Sequence, residues 1–414
     1  MGARTALINI GLLATPQGLS ARGGGAQSEV QLLQDAYLLM ADGLVERVGS
    51  GSPSRFDLAG HEVIDARGAL VTPGLVDAHT HLVFGGWRAH ELQLKLAGVP
   101  YLDILDKGGG ILDTVRQTRK ASTGALVDKA RQALDGMLAL GTTTVEAKSG
   151  YGLDLDNEIK QLEAVKQLQE THPVDLVSTL MAAHALPPEY KEDREGFLRL
   201  IIDTIIPEVA GRGLAEFCDV FCEQGVFTVT ESRRVLEAAA RHGLRAKIHA
   251  DELHAIGGSE LAGELGAVSA EHLIAMRDSG IAALKTGGVI ACLLPATSFY
   301  LHKPYARARD LVTAGVPIAL GSDFNPGSCP GYSLQLCMNL ASWHYKLSPQ
   351  EILTAVTLNG AAAIGRARQT GSLEPGKLAD AVIWEADSLD FLCYRFGSNL
   401  ARAVIKKGRL VAGA

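Results

Sequence analysis

Two histidines spaced two residues apart, His79 and His81, follow the apolar lead Leu75-Val76 and lie between a Pro73-Gly74 turn and a Gly85-Gly86 loop. In an extended segment residues i and i+2 share a face, so these imidazoles aim together. Neutral imidazole is a borderline donor suited to zinc, iron, copper or nickel, and a complete site requires further donors. A bare His-x-His pair is also a common surface accident, so the rest of the chain decides its meaning. Single polar groups close later apolar runs: Glu146 and Lys148, His184, His249 with Glu252, His272, and Asp323. Each alone reads more readily as a satisfied structural group. Together they bring five of the twelve histidines to the ends of such runs, which is hard to ascribe to structure alone. His79, His81, His249 and Asp323 offer three imidazoles and a carboxylate, a set suited to zinc or ferrous iron. Such an ion lowers the pKa of its water towards ~7 and supplies hydroxide at neutral pH.

The elements that must position these groups alternate along the chain. Leu126, Ala130, Ala133, Leu134, Met137 and Leu138 keep helical spacing and stop at Gly141, a good C-terminal glycine. The β-branched run Thr142 to Val145 follows, then a helical pattern from Ile159 to Leu168, then a strand pattern from Asp175 to Met181. Continuing in this way gives eight strand candidates, ending near residues 81, 148, 184, 222, 249, 272, 294 and 323. Eight β/α units are what a closed parallel barrel requires, and its chemistry sits at the C-terminal strand ends. The expected class is therefore α/β, a (β/α)8 barrel. Short apolar runs divided by Gly- and Ser-rich turns fill residues 4 to 70, and β-type runs recur at Ala379 to Trp384 and Ala403 to Val411. Both chain ends are expected to build one small β-sandwich, with residues 1–70 and 367–414 flanking a barrel domain of 71–366. Ser348-Pro349-Gln350-Glu351 is a capping box that opens a helix running to about Ala361.

Composition narrows the function. A net charge of −7 with no block of like charges offers no basic stripe for nucleic acid. Six cysteines in 414 residues make no disulfide framework and read as buried reduced thiols. The N-terminus lacks the apolar core of a signal peptide, Ala6 stands where a myristoylation signal wants Ser or Thr, and no apolar run is long enough to span a bilayer. These features predict a soluble cytoplasmic protein without nucleic-acid or membrane partners, with a homodimer as the default for a soluble enzyme.

The pattern of His-x-His after the first strand, later single histidines and a closing Ser-Asp resembles the amidohydrolase superfamily, whose metal sits in a barrel beside a small β-sandwich. Gly371-Ser-Leu373-Glu-Pro-Gly376-Lys377 looks like that superfamily's returning sandwich segment. More narrowly, DAHTHLVFGGWR (77 to 88), KGGGILDTVRQTR (107 to 119), EAKSGYGLD (146 to 154), AAHALPPEY (182 to 190), HADEL (249 to 253), AEHL (270 to 273) and GSDFNPGSCP (321 to 330) resemble the imidazolonepropionase family. The resemblance covers nearly the whole chain. It implies hydrolysis of a ring C–N bond of 4-imidazolone-5-propanoate to N-formimino-L-glutamate, with one zinc or iron ion held by His79, His81, His249 and Asp323. It also implies that Arg88, Tyr151, His184, Glu252, Asn325, Gly327 and Ser328 hold the substrate.

Elementary chemistry agrees in kind. A propanoate suits the two-pronged guanidinium of Arg88, which would otherwise be a solvated surface arginine. Asn325-Pro-Gly327-Ser328 is either an ordinary turn or a set of backbone N–H groups presented to a carboxylate, and the resemblance favours the latter. Glu252, three residues past His249, is placed to move the water proton to the leaving nitrogen, with Asp323 as the rival for that task. His272 is placed to stabilise the developing oxyanion. Many related hydrolases bridge two metals with a strand-four lysine; strand four here ends at Cys222-Glu223, so a single metal is expected, and Lys148 reads as an ion-pair partner of Glu146. A guanine or cytosine deaminase would share the metal set without needing the arginine. An inactive scaffold of the same fold would have lost ligands that this chain keeps. Whether the Gly108-Gly109-Gly110 loop closes over substrate is open at this level.

Overall fold

The computed structural model describes residues 4–54, 57–99 and 109–413, so Lys107 and Gly108 of the glycine-rich motif lie outside the described residues. The first segment forms strands β1 (Arg4–Pro16), β2 (Val30–Ala41), β3 (Leu44–Ser50), β4 (Glu62–Asp65) and β5 (Leu70–Pro73). Three more strands come from the far end of the chain: after eight barrel strands, β14 (Ala381–Trp384), β15 (Ala401–Lys406) and β16 (Arg409–Gly413). They make one sheet in the order β16-β15-β14-β5-β1-β2-β3, with β4 also paired to β1. Neighbours run antiparallel except at β1, which takes β4 and β5 in parallel on either side of a register shift between Leu7 and Ile10. The sheet has an apolar cluster of its own, built on Leu7, Ile10, Leu13, Leu38, Met40, Val71, Ile383 and Ile405. The expectation of a separate β-unit from both chain ends holds.

Between these strands runs the barrel: β6 (Leu75–Asp77), β7 (Thr142–Lys148), β8 (Asp175–Ala183), β9 (Phe217–Cys222), β10 (Arg245–Ala250), β11 (Ser269–His272), β12 (Ile290–Leu293) and β13 (Ile318–Leu320). Each pairs in parallel with the next, in sequence order. The inner six strands end within one residue of expectation.

The first and last strands stop earlier, at Asp77 and Leu320, so His79, His81 and Asp323 lie beyond the ladder rather than within it. The reason is visible in the seam that closes the barrel. Ser322 N–H donates to Asp77 Oδ1 at 2.9 Å, Asp323 N–H to the His79 carbonyl at 3.0 Å and His81 N–H to the Phe324 carbonyl at 2.9 Å. Asp323 adopts a left-handed φ of 53° to do so. An isolated bridge between Thr80 and Phe324 keeps the segment extended, so His79 and His81 still share a face on either side of Thr80.

The capping box at Ser348 forms as expected, but its helix ends at Ala355 and a second helix, Leu358–Ala363, follows. The break exists because the Val356 carbonyl turns to accept from Val76 N–H of β6 at 2.8 Å. All six cysteines are free and buried. Among the described residues no helix is long and apolar enough to cross a membrane.

Candidate metal centre and active site

Glu146 on β7 fixes the first two histidines through the residue between them. Thr80 donates from its backbone N–H to Glu146 Oε2 at 3.3 Å and from its hydroxyl to the Glu146 carbonyl at 2.6 Å. His249 arrives from β10, His272 closes β11, and Asp323 enters from the seam. The Nε2 atoms of His81 and His249 stand 3.4 Å apart. Asp323 Oδ1 is 3.4 Å from His79 Nε2 and 3.7 Å from His81 Nε2. These are the separations of donors around one small ion: ligand bonds near 2.1 Å in a tetrahedron put donor atoms about 3.4 Å apart.

The other atom of each group is already engaged, which aims the free atom inward. His79 Nδ1 is 2.6 Å from Glu271 Oε2, and His249 Nδ1 is 3.1 Å from both Asp219 oxygens. Such carboxylate partners fix the tautomer and leave the Nε2 lone pair for a metal. Asp323 Oδ2 accepts the Thr297 hydroxyl at 2.6 Å, leaving Oδ1 for the centre. His79 Nε2 is buried with no hydrogen-bond partner among the described residues. A buried nitrogen in that condition is costly unless something binds it. Burial pulls the His79 and His81 imidazoles well below their ordinary pKa, so both are neutral donors. The residues fit a single divalent ion.

Two buried lysines stand behind these carboxylates. Lys148 Nζ lies 2.8 Å from Asp219 Oδ2 and 2.7 Å from Glu146 Oε1. Lys247 Nζ lies 3.2 Å from Glu271 Oε1 and 2.8 Å from the Ser269 hydroxyl. The expected Lys148–Glu146 pair is there, extended to Asp219. Burial works against the charged form of Glu271, but Lys247 and Lys148 overcome it and hold the carboxyl down at about 2. Asp219, Glu271, Lys247 and Thr297 went unassigned from sequence. Alternation along β11 puts Glu271 and His272 on opposite faces, yet both reach the centre, because His272 leaves the strand geometry with a φ of 68°. An acid in the apolar run Phe217-Cys-Asp219-Val-Phe221 was the available signal for Asp219.

Glu252, two residues past β10, comes to 3.6 Å of His272 Nε2. Burial pushes its carboxyl up to about 7 and the His272 imidazole down to about 4. His184 stacks on His81 with ring centroids 4.9 Å apart, and Tyr151 lies 5.3 Å from His184. The loop carrying Tyr151 is tied to the helix Leu155–Thr171: Glu158 accepts from the N–H groups of Gly150, Gly152 and Leu153, and Gln161 from that of Tyr151.

Arg88, Asn325, Gly327 and Ser328 gather on the side of the seam. The Arg88 side chain is buried and its Nε donates to Glu91 Oε2 at 3.2 Å, while Glu91 Oε1 accepts from Gly110 N–H at 2.6 Å. A methyl group on Gly327 would stand 2.3 Å from Arg88 Cζ, so the guanidinium lies directly against that glycine. The backbone N–H groups of Gly327 and Ser328, expected to face a carboxylate, are instead taken by Asn325 Oδ1 at 2.8 and 2.7 Å. Asn325 Nδ2 donates back to the Asp323 carbonyl at 2.7 Å, which couples this turn to the candidate ligand Asp323.

Comparison with known proteins gives the family and the fold. The model of the amidohydrolase family matches residues 70–411. The imidazolonepropionase of Alkaliphilus metalliredigens is 52% identical over 94% of this chain and 93% of its own length. That of Fusobacterium nucleatum is 50% identical over 99% of both chains. Among solved structures, guanine deaminase of E. coli superposes with a TM-score of 0.76 over the full length of both chains at 16% identity. Atrazine chlorohydrolase of Arthrobacter aurescens TC1, in a mutant form, does so with a TM-score of 0.72 over 99% of this chain and 95% of its own, at 18% identity. At such identities these two show the fold alone. The chain belongs to the imidazolonepropionase family within the amidohydrolases.

Proposed function

We infer that this protein is an imidazolonepropionase, which opens a ring C–N bond of 4-imidazolone-5-propanoate by hydrolysis to give N-formimino-L-glutamate in histidine degradation. The observation that carries the reading is the convergence of His79, His81 and His249 with Asp323 Oδ1 beside the Glu252–His272 pair. When bound there, a divalent ion, zinc or iron, supplies hydroxide at neutral pH. Glu252 takes the proton of the attacking water and passes it to the leaving ring nitrogen. His272 Nδ1, buried without a partner among the described residues, addresses the ring carbonyl oxygen and stabilises the oxyanion. Arg88 grips the propanoate, and Tyr151, His184, Asn325, Gly327 and Ser328 line the remaining sides. Asp323 keeps its role as a ligand, since its second oxygen is committed to Thr297.

Around this core we read residues 1–70 and 367–414 as the small domain and 71–366 as the barrel, with β5 straddling the first boundary. We read the enzyme as a cytoplasmic homodimer without nucleic-acid partners. The net charge of −7 supports the last point. A groove of about 610 Å³ lined by Phe299, Trp343, Tyr394 and Phe396, all at least half exposed, supports self-association.

The test is the ultraviolet decay of fresh 4-imidazolone-5-propanoate with purified protein, with and without prior chelation, and identification of the product by mass. Metal-dependent gain of one water is the expected result; no turnover by metal-loaded protein would overturn the assignment.

A further inference from the structure

Lys129 lies on the helix Thr123–Ala139, outside everything the hydrolytic reading uses. Its Nζ is buried with no hydrogen-bond partner among the described residues. It stands 3.9 Å from the centroid of the Phe84 ring and 4.4 Å from that of Trp87. A cavity of about 200 Å³ opens beside it, lined also by Gln132, Phe324 and Tyr332. An ammonium in that setting has exchanged water for ring faces, whose quadrupoles attract it only while it is charged. Burial brings its pKa down to about 8.

The rings that Lys129 touches lead into the substrate side of the site. Phe84 packs against Trp87 and Phe324 at 5.0 and 5.6 Å. Trp87 adjoins Arg88, and Phe324 sits between Asp323 and Asn325. Among the residues lining the cavity, Tyr332 is the one other ionisable group. Arg88 turns into Glu91, and Asp128 on the same helix is exposed.

We propose that Lys129 is a positioning residue: its ammonium clamps Trp87 against Phe84 and so holds the Arg88 guanidinium on Gly327. The proposal rests on the reading of Arg88 as the carboxylate grip. The clamp holds while Lys129 is protonated and releases as the pH rises through its pKa.

The experiment follows two signals across about pH 7 to 9.5, the range in which this amine titrates. One is tryptophan emission without substrate, in the wild type, Lys129→Met and Lys129→Arg; the other is KM and kcat for 4-imidazolone-5-propanoate in the same three proteins. Expected are an emission change centred near pH 8 in the wild type alone, a KM that rises with it, and a KM raised about 3- to 10-fold in Lys129→Met with kcat little changed. Lys129→Arg should keep a low KM with no inflection. An emission inflection that survives in Lys129→Met, or a KM equal to wild type in that variant, overturns the proposal. Arg88→Ala separates the two readings: if it leaves KM unchanged while the emission inflection is intact, the substrate role of Arg88 fails and the coupling with it, whereas the contact between Lys129 and Trp87 stands.

Discussion

Glu252 Oε2 stands 3.6 Å from His272 Nε2, and the two groups reach each other from consecutive strands of the barrel. With one carboxyl pushed up to about 7 and the neighbouring imidazole pushed down to about 4, the pair has a single proton to give or take near neutrality, and it belongs to Glu252. A base that titrates near the working pH is the one most useful for proton transfer.

Replacing that base while keeping its shape, Glu252→Gln, should lower kcat by ~10²-fold or more and leave KM nearly as it was. In the wild type the rate should fall on the acid side, where Glu252 is protonated. A bound cation favours the ionised carboxylate, so the limb should lie at or below about 7. Steady-state kinetics against pH checks both points; a near-normal turnover number in the variant would remove Glu252 from the mechanism.

Lys247→Met leaves the Glu271 carboxylate buried without its nearest cation. Loss of one partner of a buried pair costs about 3–5 kcal/mol, and disturbing the partner of a metal-binding histidine weakens metal affinity about 10- to 100-fold. Metal retained after dialysis against graded chelator, together with the thermal midpoint, measures the two effects. The pH dependence has a definite sign. Glu271 titrates at about 2 in the fold against an ordinary 4.5, so its contribution is full above pH 4.5 and is lost as pH falls towards 2. The wild type should therefore lose more stability than the variant over that interval, and parallel acid-unfolding curves would contradict the assignment.

Arg88→Ala should raise KM for the propanoate substrate by about 10- to 100-fold, the worth of hydrogen bonds to a charged group, with a much smaller change in kcat. An analogue that lacks the carboxylate should not distinguish the variant from the wild type. Equal losses for both substrates would mean that Arg88 acts on the chemistry instead.

Gly327→Ala tests the same grip from the opposite side. The added methyl meets the far end of a flexible side chain rather than backbone, so the fold should survive with a thermal midpoint close to wild type. The guanidinium must shift, and KM should rise about 10-fold. An unchanged KM in a well-folded variant would show that the contact between Arg88 and Gly327 has no part in binding.

Much of this was legible in the residues because barrel strands are buried on both faces and read as apolar runs, and because glycines mark where helices end. Gly141 and Gly243, both at positive φ, close the helices that the periodicity picks out. Short helices such as Pro295–Tyr300 and Ala308–Ala314 escaped, being too brief for a 3.6-residue period to declare itself. The groups nearest the candidate centre were legible because histidine is rare and its positions coincide with strand ends. The supporting carboxylates Asp219 and Glu271 were not, since they act through contacts across other strands that no local pattern encodes. Of their ion-pair partners, Lys148 was legible through Glu146, two residues away on the same strand, whereas Lys247 read locally as a strand residue. The turn at Asn325 reads two ways for another reason: an asparagine side chain competes for the same N–H groups that a ligand would use.

The closing seam of the barrel has a consequence for how the protein is made. Its hydrogen bonds join His79 and His81 to Asp323 and Phe324, residues some 240 positions apart in the chain. Contacts so remote in sequence exact the greatest loop-closure entropy and form late in folding. A nascent chain therefore carries His79 and His81 long before it has Asp323 to offer, and the candidate donor set is complete only once the cylinder has shut. An ion held by His79, His81, His249 and Asp323, as proposed, would act as a rivet on the last joint of the barrel. Hydrogen exchange at the His81 and Asp323 amides should slow sharply on metal loading, reporting closure and occupancy as one event.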